Sequence, residues 1–321
     1  MALPLPARDA GEVLRIRVPA STSNLGAAFD AVGLALRLYL RLEVRRIGDE
    51  RSRLEIAGTD ARLVPADESN LIWRVMAETA ARSGRRLPPF HLRVVNEIPI
   101  TKGLGSSASA CLAGAAAADH ICGLGLVTQD LLEIAAAREG HPDNVAPSLL
   151  GGLVASMGGT RIRCARAVFP ESWIVVAVTP AFELETRRAR AALPREVLHS
   201  DAVFNVQRVA FLMTQIIQRR SEGLRQAMED RLHQPYRSPL LPGFEEILRM
   251  EESPGLLGVA LSGAGPTVVA FANADAPGIG ARIRGIFARH GLESEVRLLG
   301  ADNAGMVCET GGAMPGEGGE P

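Results

Sequence analysis

The 321-residue chain is poor in cysteine, in aromatic residues, in lysine and in any excess of one charge. Its 35 basic and 36 acidic residues leave a net charge of −1, which excludes a polybasic coat for nucleic acid or an anionic membrane, and equally an acidic tail protein. Aromatic residues make up only 4%, so the stacking surface of a nucleic-acid module is not expected. The four cysteines, Cys111, Cys122, Cys164 and Cys308, form no CxxC pair and no zinc-ligand spacing with histidine. Neither a disulfide scaffold nor a zinc site is expected, and a reducing, cytoplasmic compartment is the default. The opening residues show no secretory pattern. The longest apolar stretches, such as Ala108–Ala118, are too small and alanine-rich to span a bilayer, which takes about 20 residues. Lysine is scarcest of all: Lys102 is the only one, and every other basic residue is arginine. A coding bias toward arginine accounts for the arginines but leaves the position of that one lysine open.

What the chain does have is core-forming material. At 34.1 kDa, with 47% hydrophobic and 22% charged residues, it is sized for two modest domains or one large one. Val13–Val18 and Leu36–Ile47 alternate as strands, Glu68–Ser83 reads as a helix capped near Ser69 or Asn70, and His91–Ile98 reads as a strand. A Gly/Ser loop leads into a helix from about Ser107 to Ile121, and a second amphipathic helix covers Thr128–Glu139. Trp173–Pro180 starts afresh as a buried strand. Helices over 202–220, 222–231 and up to 250 follow, then strands near 259–261, 267–272 and 294–299 with a helix over 276–290. The expected organisation is α+β, with an N-terminal domain over 1–170 and a C-terminal domain over 171–321. The first dozen residues read as a loose leader and those from about 310 as a frayed Gly/Pro/Glu-rich tail.

Four segments carry chemistry. Pro99-Ile100-Thr101-Lys102-Gly103-Leu104-Gly105-Ser106-Ser107-Ala108-Ser109 lies between a strand and an alanine-rich helix. Its glycines let successive N–H groups face one centre at a helix N-terminus, and its serines offer hydroxyls to phosphate or a hard cation. It is neither a GxxxxGK[ST] nor a GxGxxG motif, and the plain alternative is a Gly-rich turn. In the 18–30 segment, Asn24 and Asp30 flank Gly26, as candidate ligands for a polar substrate and its ammonium group or as an Asx-turn. His141, Asp143 and Asn144 share a Pro-bounded loop after the helix that carries Glu133, the kind of place where catalytic groups gather. The fourth, Ala260-Leu261-Ser262-Gly263-Ala264-Gly265-Pro266-Thr267, a small-residue loop between two strand patterns, admits close approach of a ligand or forms a tight hairpin turn.

The order of these strings, Asn-Leu-Gly-x-x-Phe-Asp, Gly-Leu-Gly-Ser-Ser, His-Pro-Asp-Asn-Val-Ala-Pro and Ser-Gly-x-Gly-Pro, resembles the GHMP small-molecule kinase superfamily, and within it the homoserine kinases. The resemblance spans about Leu14 to Cys308, with Ala27-Ala28 and Thr101-Lys102 departing from the usual pattern. It implies a two-domain fold, an N-terminal ribosomal-S5-like domain 2 and a C-terminal ferredoxin-like domain, with the site between them. It also implies ATP as co-substrate on the 99–109 loop with Asn70 toward adenine, and Mg²⁺ held by Ser107, less surely Ser106, and by Glu133. For an L-homoserine acceptor in threonine biosynthesis, the matching positions are Asn24, Asp30, His141, Asn144, Thr186, Arg190, Arg237 and Gly263. An acid for an ammonium and an Arg fork for a carboxylate suit an amino acid. Asn144 fits an orienting role, with His141 and Asp143 as candidates to take the proton. Lys102 is expected to reach ATP phosphates unless its place is chance. Alternatives are another GHMP kinase, acting on a different amino alcohol or an isoprenoid alcohol, and a non-catalytic ligand-binding homologue. A homodimer is left open; nucleic acid and membrane are not expected as partners.

Overall fold

The computed structural model of the chain describes residues 12–48 and 51–311. Most of the expected leader, and the tail after Gly311, lie outside the described residues. The first half comprises β1 (Val13–Asn24), β2 (Ala28–Arg46), β3 (Arg53–Gly58), α1 (Leu71–Arg82), β4 (Phe90–Asn96), α2 (Ser106–Cys122), α3 (Thr128–Glu139), α4 (Val145–Leu150), β5 (Leu153–Met157) and β6 (Arg163–Ala167). The second comprises β7 (Ile174–Pro180), α5 (Thr186–Ala191), α6 (His199–Ile217), α7 (Leu224–Ala227), α8 (Gln234–Arg237), α9 (Phe244–Leu248), β8 (Leu256–Leu261), β9 (Val268–Ala272), α10 (Ala276–Arg289), β10 (Ser294–Leu299) and β11 (Val307–Gly311).

The first sheet runs β11-β1-β2-β4-β3, with β5 and β6 attached through β2. Its helices are led by α2, which is buried on almost every side between α1, α3 and the first two strands. A helix enclosed all round must be made of small residues wherever backbones approach. Alanine fills most of it, and at Gly114 a Cβ would sit 2.8 Å from the Ile72 carbonyl oxygen. The second sheet has the spatial order β10-β7-β9-β8, which is 4-1-3-2 in chain order with every pair antiparallel, the ferredoxin-like arrangement. The unbroken apolar run of β7 follows from burial on both faces. Val175 and Ala177 join the core shared with the first sheet, and Val176 and Val178 pack with Ile279, Ile283 and Phe287 of α10.

Three features differ from expectation. The last described strand does not join the second sheet: β11 crosses back and pairs antiparallel with β1, from Val13↔Gly311 to Arg17↔Val307. The helix expected over 222–231 shrinks to the single turn α7. There the Asp230 carboxylate accepts from the backbone N–H groups of Leu232, His233 and Gln234, a local alternative to helix continuation. Strand β1 extends through Pro19-Ala-Ser-Thr-Ser-Asn24, whose polar residues show no alternation yet are buried where the two halves meet. No described helix is long and apolar enough to cross a membrane.

Candidate active site

A cavity of about 650 Å³ opens between the two halves. One end is formed by the loop from Ile100 to Ser107 where β4 gives way to α2. Gly103 and Gly105 adopt φ of +80° and +71°, conformations open to glycine at little cost. They also stand where no side chain fits: a Cβ on Gly103 would lie 2.3 Å from the Ser262 carbonyl oxygen, and one on Gly105 2.1 Å from Ser21 Oγ. Ser262 Oγ donates to the Gly103 carbonyl at 2.6 Å, so the second-half loop braces the first-half loop. The N-terminus of α2, a long helix with its first N–H groups unpaired, opens beside them. Asn70 caps α1, accepting from Ile72 N at 2.9 Å and donating to the Pro65 carbonyl, and lines the same end.

Not every residue of the loop faces the cavity. Leu104, Ala108 and Ser109 are buried behind it, and Ser109 Oγ bonds back to the Pro19 carbonyl at 3.0 Å. Pro99 lines a separate cleft with Thr179 and Pro180. Lys102 lines the cavity, and its Nζ donates to the Phe182 carbonyl of the second half at 2.8 Å.

The expected carboxylate partner of Ser107 requires correction. Glu133 accepts from Gln129 at 2.8 Å and Arg161 at 3.3 Å, outside the cavity. The carboxylate beside Ser107 belongs to Glu139, in the last turn of α3, 2.5 Å from Ser107 Oγ and lining the cavity. Six residues turn a helix through about 600°, so the two glutamates stand on different faces. The signal available in sequence was phase. Glu139 follows Leu132, Ala135 and Ala136 on the face turned toward α2, whereas Glu133 follows Gln129. Buried Cys111 lies behind Glu139, and burial together with that carboxylate pushes its thiol up to about 12, so it stays a neutral wall.

The other end collects side chains from distant segments. Asp30 receives a two-pronged hydrogen bond from Arg190 at 2.9 and 3.0 Å, and Asn24 Oδ1 fixes the Asp30 backbone N–H at 2.9 Å. Asn24 Nδ2 and Arg237 Nη1 both donate to the Gly263 carbonyl, at 2.9 and 3.0 Å. Arg237 is 2% exposed, and burial, with Arg190 nearby, lowers its guanidinium to about 10. Asn144 is held at the N-terminus of α4: its Nδ2 donates to Ser23 Oγ at 2.9 Å and its Oδ1 accepts from Ser21 Oγ at 3.1 Å. Its amide plane is therefore fixed by two buried serines of β1. His141 Nδ1 and Asp143 form an ion pair. Burial, the largest single influence, disfavours charge on both, yet their mutual hydrogen bond and opposite charges together outweigh it, raising the imidazole and holding the carboxylate below its usual range. Thr186, at the start of α5, completes this wall.

The cavity thus gathers Asn24, Asp30, Asn70, Ser107, His141, Asp143, Asn144, Thr186, Arg190, Arg237 and Gly263 from the expected set. It adds Ser23 and Glu139, together with a supporting layer of His233, Asp230 and Phe29, of which only Phe29 stands in one of the quoted strings. Phe29 stacks on His233 at 5.0 Å between centroids and faces both guanidiniums.

Two family models match the chain, GHMP kinases N terminal domain over residues 70–152 and GHMP kinases C terminal over residues 212–287. Fold and cavity together are those of a GHMP-type small-molecule kinase. The homoserine kinase of Solibacter usitatus is 44% identical over 282 residues, covering 87% of this chain and 92% of that one. The homoserine kinase of Moorella thermoacetica is 39% identical over 293 residues, 91% of this chain and 98% of its own. The crystal structure of homoserine kinase from Cytophaga hutchinsonii matches with a TM-score of 0.82 at 25% identity, over 95% of this chain and 100% of the other. The chain belongs to the homoserine kinase family of the GHMP kinases.

Proposed function

We propose that this chain transfers the γ-phosphoryl group of ATP to the side-chain hydroxyl of L-homoserine, giving O-phospho-L-homoserine and ADP. The observation that carries the acceptor class is the Asp30–Arg190 pair inside the cavity, with buried Arg237 beside it. A zwitterion entering there exchanges one ion pair for two, its ammonium taking Asp30 and its carboxylate taking Arg190 and Arg237. An acceptor with a single charge leaves one of those groups unmatched, which is costly where water is scarce. An isoprenoid alcohol bearing only a carboxylate is therefore a poorer fit than an amino acid.

Phosphoryl transfer needs in-line positioning and charge neutralisation more than a strong base. Backbone N–H groups of the 103–107 loop and the α2 N-terminus hold the phosphates, with Asn70 toward the base. Ser107 and Glu139, hard oxygen donors 2.5 Å apart at that end, fit Mg²⁺, which commonly takes one or two protein ligands and completes its shell with phosphate and water. When bound, Mg²⁺ neutralises phosphate charge. Asn144, locked by Ser21 and Ser23, orients the acceptor hydroxyl. The His141–Asp143 pair precedes Asn144 on the same loop; with the imidazole raised and the carboxylate lowered, Asp143 is the member of the pair with a lone pair to take the hydroxyl proton.

The test is ADP release with ATP and Mg²⁺ over a panel of homoserine, serine, threonine, mevalonate and galactose. Homoserine is expected to give the highest kcat/KM. A preference for mevalonate or galactose overturns the acceptor assignment, and no turnover on any of them overturns the kinase reading.

A further inference from the structure

His233 takes no part in the chemistry above, yet it is fully buried directly behind the acceptor end, with 0% exposure. It packs against Phe29 on one face, and both of its ring nitrogens are engaged. Nε2 lies 2.8 Å from the Gly26 carbonyl oxygen, an acceptor only, so Nε2 carries the proton. Nδ1 is then a lone pair, 3.3 Å from Arg237 Nη1, which donates to it. Burial keeps the ring neutral, outweighing the Asp230 carboxylate 3.5 Å from Nε2 and in concert with Arg237.

The frame around the ring is rigid. Asp230 fixes the backbone of residues 232–234 and accepts from Asn205 Nδ2 at 2.7 Å. Gly26 has φ +79°, and a Cβ there would meet the Met228 carbonyl oxygen at 1.9 Å, so the loop that receives Nε2–H is packed directly on the backbone just ahead of Asp230. Arg237 is thereby held by three neutral acceptors: His233 Nδ1 and the carbonyls of Ala189 and Gly263. Among the described residues it has no carboxylate ion pair, in contrast to Arg190, whose charge Asp30 already meets. A carboxylate in place of the imidazole would neutralise the guanidinium, and an alkyl group would let it turn.

We infer that His233 is a positioning residue which, as the neutral Nε2–H tautomer, aims Arg237 at the carboxylate of the acceptor while leaving its charge unspent. The inference rests on the amino-acid acceptor proposed above. His233→Phe keeps a ring on Phe29 and removes both nitrogens. It is expected to raise the KM for homoserine about tenfold to a hundredfold, the scale of a hydrogen bond to a charged group, with the KM for ATP within about twofold. His233→Gln, which restores one donor and one acceptor, is expected to recover most of the loss. In the double variant with Arg237→Met, kcat/KM should fall no further than in Arg237→Met alone, because His233 acts through that arginine. Equal rises in both KM values, or additive losses, overturn the inference. Should the Phe variant not fold, imidazole ¹⁵N shifts of the unaltered protein at pH 7 decide the matter. A protonated Nε2 with a bare Nδ1 is expected, and an Nδ1–H tautomer or an imidazolium overturns it. An unaltered protein that phosphorylates no homoserine defeats the acceptor assignment, while the tautomer still tests the His233–Arg237 bond by itself.

Discussion

At the end of the cavity proposed for the nucleotide, one stretch of chain supplies nearly everything. The loop from Ile100 to Ser107 works through backbone groups and absent side chains, and its two glycines sit where any Cβ would collide with Ser262 or Ser21. At the end proposed for the acceptor, Asp30, His141, Asn144, Arg190 and Arg237 come from four separate segments and work through charge and hydrogen-bond direction. The triphosphate of ATP is the same whatever the acceptor of such a kinase and can be met by a generic anion cradle. The acceptor must be chosen, and choice requires placed side chains whose unmatched charges reject the wrong molecule. The two ends should accordingly break in different ways.

The largest effect is expected from adding bulk to the cradle. Gly103→Val forces a β-branched residue into φ +80° and toward the Ser262 carbonyl oxygen 2.3 Å from the new Cβ. Displacing the loop from its brace should lower kcat/KM by about a hundredfold or more, with the KM for ATP rising more than that for homoserine. Steady-state kinetics with each substrate varied in turn checks this. Equal rises would show that the loop supports both ends alike.

Charge, not volume, should break the acceptor end. Asp30→Asn removes the partner of the substrate ammonium and is expected to raise the KM for homoserine about tenfold to a hundredfold, leaving the KM for ATP unchanged. The same change frees Arg190 from its two-pronged bond. Binding of 4-hydroxybutanoate, which has the carboxylate and lacks the amino group, should therefore tighten in the variant. Calorimetric titration of both ligands measures the exchange; weaker binding of 4-hydroxybutanoate would mean that the ion pair does not compete with substrate.

The same contrast governs how far each end could be read from sequence. A cradle built from consecutive residues leaves a contiguous string, and the Gly-Leu-Gly-Ser-Ser run was legible as one. Helix α3 was legible to the residue, because Gly140 in a left-handed conformation ends it and the first residues of the amphipathic run mark its start. The acceptor arginines were not legible on their own. One Arg among many carries no signal until the fold brings Arg190 and Arg237 beside Asp30, and only the resemblance singled them out. The polar half of β1 was missed because its burial is imposed by the second half of the molecule, and β11 because a strand of five residues near the end pairs with the first strand of the chain. His233 was invisible for the same reason: its partners Gly26 and Phe29 lie some two hundred residues upstream.

Glu139 and Glu133 make a paired test of the nucleotide end that uses side chains after all. Glu139→Gln should raise the Mg²⁺ concentration needed for half-maximal activity by about tenfold, while Glu133→Gln, a change outside the cavity, should leave it alone. A titration of activity against Mg²⁺ in the two variants decides between these carboxylates. A larger shift for Glu133 would return the metal site to the carboxylate six residues upstream.

The smallest effect should come from Lys102, and it bears most directly on how the ends are joined. Placed on the chain, the only lysine falls beside the phosphate loop, where a mobile ammonium would be read as a phosphate ligand. Its Nζ instead donates to the Phe182 carbonyl, while its own carbonyl accepts from Thr267 N at 3.2 Å, so that the residue ties the loop to the second half at both levels. Phe182 leads directly into Glu183–Thr186, which lines the cavity, and then to Arg190 on α5. A clasp there transmits to the acceptor side. Lys102→Met, which keeps the length of the stem and removes the donor, is expected to raise the KM for homoserine about two- to fivefold and the KM for ATP by less, the scale of one half-exposed hydrogen bond. A phosphate ligand would show the opposite split, with ATP affected several-fold and homoserine hardly at all. The sign of that split, rather than its size, tells whether the lysine belongs to the cradle or to the hinge between cradle and acceptor wall.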